Sequence, residues 1–131
     1  MAAAEPTEKK CSACESPSTQ RLEPEAVQNY LAKHRLWSLS ADGSRIQREI
    51  VAINFQAAFE FLTAVAAVAE RHGHHPDISL YSYRNVRIEI YTHSVKGLTE
   101  FDFTLAVEID ELPIKYSPKF LKEQNERLAL P

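Results

Sequence analysis

The sequence predicts an α+β fold: a four-stranded antiparallel sheet with three helices packed on one face, in the order α-β-β-α-β-β-α. Three observations carry this. A wide apolar stripe at helical spacing covers 55–71, a strictly alternating segment covers 86–93, and polar and apolar residues interleave over 45–53. Two hairpins separated by a helix leave one sheet face open and the outer strands unpaired. Self-association by sheet extension is therefore expected.

Taken in order, residues 1–20 are rich in Ala, Glu, Lys, Ser, Pro and Thr without apolar periodicity and are expected to form a flexible leader. A single domain is expected over 21–114. Its first helix starts at Pro24, with Val27, Tyr30, Leu31 and His34 recurring at helical spacing. Trp37-Ser38-Leu39, the Asp42-Gly43 turn and the segment from Arg45 to Ile53 read as a hairpin. Asn54 is placed to cap the second helix, along which Phe55, Ala58, Phe59, Phe61, Leu62, Val65, Ala66, Val68 and Ala69 form the stripe, and Gly73 suits the left-handed residue after its end.

A third strand is expected over Ile78–Tyr83, with a turn at Arg84-Asn85. Over the fourth strand, Val86, Ile88 and Ile90 face one side, while Arg87, Glu89, Tyr91 and His93 face the other. Thr99 and Asp102 then form a capping box for a third helix that ends before Pro113, with Leu98 able to pack on Phe103. The remainder, 115–131, reads as a polar tail with at most a short helix.

Composition narrows the function. The chain has 131 residues, of which 44% are hydrophobic and 25% charged, enough for one real core. Its net charge is -3, and its lysines and arginines are scattered, so no phosphate-tracking stripe is present for nucleic acid. The N-terminus lacks the apolar stretch of a secretory signal, and no apolar run is long enough to span a bilayer. A cytoplasmic or nuclear protein is the expectation. Cys11 and Cys14 form a C-x-x-C pair open to thiol, redox or metal readings, but no second pair completes a zinc site.

Chemistry concentrates in Glu70-Arg71-His72-Gly73-His74-His75-Pro76, which holds three of the five histidines. Pro76 pushes His75 toward extended geometry, so in a straight segment the rings of His74 and His75 point to opposite sides. Zinc would need three or four ligands, and neither the H-E-x-x-H spacing nor an obvious carboxylate partner is present. A helix-terminal role explains His72, at the negative end of the helix dipole. Proton transfer near neutrality suits the others, since an imidazole both gives and accepts a proton there. No Ser or Cys nucleophile with a base and no Gly-rich phosphate loop is apparent.

Glu70-x-x-x-His74-His75-Pro76, Tyr83, the strand Val86-x-Ile88-x-Ile90-x-Thr92-His93 and Gly97-Leu98-Thr99-x-x-Asp102 together resemble the pterin-4a-carbinolamine dehydratase family over about 22–113. The resemblance implies a hydro-lyase that converts 4a-hydroxytetrahydropterin to quinonoid dihydropterin in tetrahydrobiopterin recycling, needing neither metal nor nucleotide cofactor. It assigns His74, His75 and His93 to acid-base work and hydroxyl binding, with His75 preferred as the acid. Asp102 becomes the acidic residue beside the site, against its simpler reading as part of the capping box. Glu70, Pro76, Tyr83 and Thr92 become supporting or substrate-binding residues, while His34 and His72 are expected to stay outside catalysis. The partners implied are a pterin and further copies of the same chain, as a homodimer or homotetramer. Animal members also act as dimerisation cofactors of a homeodomain transcription factor, so a binding protein with little turnover is the alternative, and a hydroxylase partner also enters. Three departures bear on the pocket rim: Ile78 stands where an aromatic residue is common, the segment from Pro76 to Val86 is one residue longer, and Val95-Lys96-Gly97 is less Gly-rich.

Overall fold

The computed structural model describes residues 20–130; Cys11, Cys14 and all but Gln20 of the leader expected over 1–20 lie outside the described residues. The elements are α1 (Pro24–Lys33), β1 (Ser38–Leu39), β2 (Ile46–Val51), α2 (Phe55–His72), β3 (Asp77–Tyr81), β4 (Asn85–Ile90), a 3-10 turn (His93–Val95), α3 (Glu100–Asp110) and α4 (Pro118–Leu128). The strands form one antiparallel sheet in the order β1-β2-β4-β3. The predicted order of elements is observed, with one correction. The polar tail holds a full fourth helix.

Period-two patterning decides which sheet face is buried. Ile46 pairs with Ile90, Arg48 with Ile88 and Ile50 with Val86, and all six are buried on the helix-bearing face. Gln47, Glu49, Arg87 and Glu89 alternate onto the other face, which stays open to water. The buried arginine is matched at its two terminal nitrogens, while its Nε has no partner among the described residues: Arg48 Nη1 donates to Asp110 Oδ1 at 2.7 Å, Nη2 donates to Tyr116 Oη at 2.7 Å, and Trp37 Nε1 donates to Asp110 at 3.0 Å. Burial nevertheless pushes the Asp110 carboxyl up, against the pull of Arg48 and the Trp37 hydrogen bond.

The apolar stripe of α2 divides. Ala58, Phe61, Val65, Val68 and Ala69 enter the core, whereas Phe55 and Phe59 are 51% and 47% exposed, their rings edge-to-face at 4.9 Å. The helix begins where Asn54 Oδ1 accepts from Ala57 N at 2.8 Å. It ends on Gly73 (φ 63), with Gly73 N donating to the Glu70 carbonyl and His74 N reaching back to that of Ala69. That pair of bonds is a Schellman motif, and it needs a left-handed residue at Gly73.

Two expected boundaries move. β3 ends at Tyr81, and Ser82, Tyr83 and Arg84 make the turn, with Ser82 and Tyr83 at φ 48 and 55. β4 stops at Ile90 because Asp77 and Ile46, the first residues of its neighbours, pair with Glu89 and Ile90 and nothing extends beyond them. Helix α4 starts on Ser117, whose Oγ accepts from Phe120 N, and its end is held by Arg35, which donates to the carbonyls of Arg127, Leu128 and Leu130. Among the described residues no helix is long and apolar enough to cross a membrane.

Candidate active site

One end of the sheet gathers the chemistry, where β3 begins, β4 ends, α2 terminates and α3 starts. The Schellman turn sends the chain inward at His74 and outward again at His75. His74 is 4% exposed, and its Nε2 lies 2.6 Å from Asp102 Oδ1. His75 Nε2 lies 2.7 Å from Glu70 Oε2, with both side chains mostly in solvent. The opposed directions expected of a straight His-His-Pro segment are what the chain adopts, and Pro76 leads directly into β3.

Asp102 is completely buried and fully engaged. Its Oδ1 meets His74, while Oδ2 accepts from Thr99 N at 2.8 Å and from Thr92 Oγ1 at 2.9 Å. Thr92 Oγ1 also lies 2.9 Å from Thr99 Oγ1. A carboxylate left without donors at such depth would be costly, so all three groups are needed to keep it there. The capping box at the start of α3 is complete, so Asp102 caps the helix with one oxygen and holds a histidine with the other. Facing a carboxylate, Nε2 of His74 and of His75 carries the ring proton, whether the ring is neutral or charged.

His93 reaches the same region by a different route. Thr92 N donates to the Gly97 carbonyl, and Gly97 N returns to that of Thr92, closing a loop that carries His93 on its 3-10 turn. This loop is held from outside by Leu22 N, which donates to the Leu98 carbonyl, and by Arg21, which leaves no room for a Cβ on Gly97: one would sit 2.3 Å from Arg21 Cδ. His93 is exposed, and its Nε2 lies 3.0 Å from Tyr91 Oη. Nothing in the residue pattern had assigned Tyr91 a role. The alternation that put Tyr91 and His93 on one face was the available signal.

Of the residues singled out from sequence, Glu70, His74, His75, Pro76, Thr92, His93 and Asp102 are joined by hydrogen bonds or chain adjacency. Tyr83 is not brought to them. It sits 59% exposed in the β3–β4 turn, at the opposite end of the hairpin. His72 pairs with Glu108 Oε2 at 2.9 Å, and His34 lies beside Phe103 with ring centroids 6.2 Å apart, so both are occupied elsewhere. Among the described residues no three His, Cys, Asp or Glu side chains cluster as metal ligands would. A groove of about 600 Å³ between the start of α1 and the β1–β2 turn is lined by Arg21, Leu22, Val27, Leu39 and Gly43, with no histidine in its walls.

Known proteins share both sequence and architecture with this chain. The family profile described as pterin 4 alpha carbinolamine dehydratase matches residues 20–112. The mitochondrial pterin-4-alpha-carbinolamine dehydratase 2 of Arabidopsis thaliana is 38% identical over 82% of this chain, which spans only 58% of that protein's length. A Chloroflexus aggregans protein with the pterin-4-alpha-carbinolamine dehydratase name is 46% identical over 70% of this chain and 96% of its own. Among solved structures, a transcriptional coactivator/pterin dehydratase from Brucella melitensis superimposes with a TM-score of 0.65 at 28% identity, covering 70% of this chain and 96% of that one.

Proposed function

The chain belongs to the pterin 4 alpha carbinolamine dehydratase family, and from that premise we propose that it dehydrates a 4a-hydroxytetrahydropterin to the quinonoid dihydropterin by histidine acid-base catalysis. The observation that carries this reading is the Asp102 network, which ties His74 into the same bonded cluster as Thr92, with His75 and His93 each one residue away. Elimination breaks the C4a–O bond, forms a double bond between N5 and C4a, and removes the N5 proton. His75 suits the proton-carrying role, because Glu70 engages its Nε2 and leaves Nδ1 for the substrate. Its Nδ1 proton leaves with the hydroxyl as water. The N5 proton then returns to the same nitrogen, and the enzyme is restored.

The reaction as written uses no metal or nucleotide, and its setting is tetrahydropterin recycling after aromatic amino-acid hydroxylation. Self-association belongs to the same proposal: α2 presents Phe55 and Phe59 to solvent, and among the described residues β3 pairs with β4 only. The test is direct measurement of 4a-carbinolamine dehydration. Histidine-mediated proton transfer contributes about 10²- to 10⁴-fold, so His75→Ala should lose rate on that scale, and His93→Ala should lose about 10²-fold as a hydrogen-bond donor to the departing hydroxyl is removed. Both side chains are exposed, so the variants should keep wild-type thermal stability. Near-normal turnover in both variants would remove the assignment. A folded, self-associating chain without dehydration would favour the binding protein instead.

A further inference from the structure

We propose that Tyr91 is a positioning residue whose hydroxyl fixes the orientation and tautomer of His93, with Arg45 fixing Tyr91 in turn. Its bearing on rate rests on the dehydratase reading; the tautomer itself does not.

The two rings lie with centroids 4.6 Å apart, and Tyr91 Oη is 3.0 Å from His93 Nε2. Ile46 pairs with Ile90, so Arg45 and Tyr91 come next to each other along the open face of the sheet. Arg45 Cζ stands 4.3 Å from the centre of the Tyr91 ring, and Nη1 of the same guanidinium is 3.3 Å from both Asp77 Oδ2 and Glu89 Oε1. A chain of contacts therefore runs from two carboxylates through Arg45 and Tyr91 to His93.

Its chemical consequence concerns a single proton. A cation over the π face draws electron density from the ring, which makes the phenol a better donor and a poorer acceptor. The hydroxyl accordingly donates to Nε2, and the His93 ring proton sits on Nδ1. His74 and His75, each with a carboxylate at Nε2, hold their proton on the other nitrogen. His93 then meets the substrate as a neutral N–H donor that holds the 4a oxygen, and it has no lone pair left to act as base while the Tyr91 bond lasts. Proton exchange falls to the carboxylate-backed ring of His75.

Nitrogen-15 NMR of the labelled full-length chain, at a pH where the imidazoles are neutral, reads this without substrate. The wild type should show a protonated Nδ1 and an unprotonated Nε2 at His93. Tyr91→Phe keeps the ring and loses only the hydroxyl. It should move the His93 proton to Nε2 and lower kcat about 10-fold, a small misplacement effect, with little change in KM. Arg45→Met should shift both readouts the same way but less. A wild-type His93 already protonated on Nε2, or a pattern unchanged in Tyr91→Phe, would overturn the proposal. Loss of the His74 pattern in Tyr91→Phe would also overturn it, by showing that Tyr91 acts through the fold. Absence of dehydration in the wild type strikes the reaction and not the Tyr91–His93 geometry, which the nitrogen shifts report independently.

Discussion

Asp102→Asn separates helix capping from histidine positioning within a single side chain. Oδ2 accepts from Thr99 N and Thr92 Oγ1, whereas Oδ1 faces His74 Nε2. The amide has one acceptor oxygen, and it satisfies two donors if placed where Oδ2 was. Its NH₂ then opposes the N–H of His74, and the ring must move its proton to Nδ1 to accept. Exchanging a charge-assisted hydrogen bond for a neutral one costs about 1–2 kcal/mol. In a chain of 131 residues that lowers Tm by about 3–8 °C. The reversed tautomer changes what His74 presents beside His75 and should reduce kcat by about 100-fold, the scale of a misplaced group at a reacting centre. Asp102→Ala, by contrast, strands Thr99 N in a fully buried site at about 1–3 kcal/mol and leaves Thr92 Oγ1 to Thr99 Oγ1, so its melting point should fall further. Thermal melts and carbinolamine dehydration kinetics on both variants decide the matter. Wild-type kcat in Asp102→Asn would reduce Asp102 to a helix cap, and equal destabilisation by Asn and Ala would refute the division of labour between its oxygens.

Three further outcomes follow from the same structure. Gly73→Ala places a Cβ at φ 63 and should cost about 1 kcal/mol; calorimetry measures the loss, and turnover should fall with it because His74 and His75 hang from that turn. Arg48→Met leaves the partly buried Asp110 with Trp37 as its remaining donor and should destabilise by about 3 kcal/mol. Adding Asp110→Asn should recover part of that loss in denaturant titrations, and no recovery would show that the ion pair is not the cause. The Ser44 hydroxyl and amide and the Ser40 hydroxyl hold the Asp42 carboxyl at about 2. Because this folded value lies below the ordinary ~3.9, the stability it contributes is present above about pH 4 and is lost as pH falls toward 2. An acid-unfolding curve of Asp42→Ala should lack that component, and an unchanged curve would exclude it.

Local signals made much of this legible. Asn54, Gly73 and the capping box of Thr99 and Asp102 each act where their chemistry places them, because caps satisfy nearby backbone groups and owe little to the rest of the fold. What escaped depends on distant partners. Helix α4 carries a proper start in Ser117-Pro118, yet its end is held by Arg35, 92 to 95 residues away in sequence. The exposure of Phe55 and Phe59 could not be told from burial, since a wide stripe reads the same whether a partner covers all of it or only half. The resemblance assigns Tyr83 to the site, whereas it lies in the left-handed β3–β4 turn, at the other end of that hairpin within the chain. The pairing of Tyr91 with His93 needed the β2–β4 register as well as the strand's alternation, and register is a property of two segments.

The position of the site has an electrostatic reason that neither helix supplies alone. Unsatisfied carbonyls give the C-terminal end of a helix a partial negative charge, and free N–H groups give the N-terminal end a partial positive one, each worth about 0.3–1 kcal/mol to a suitable neighbour. His74 follows directly on the end of α2, and Asp102 lies in the first turn of α3. An imidazolium at His74 and a carboxylate at Asp102 would each therefore occupy the end that favours its charge. The junction of α2, β4 and α3 thus sets a hydrogen-bonded histidine–carboxylate pair between two helix ends whose dipoles run in the same sense as the pair. Reversing the pair, as Asp102→His with His74→Asp, would keep both chemical groups and place each at the wrong helix end. Such a variant should be less stable than the native pair even if the hydrogen bond re-forms.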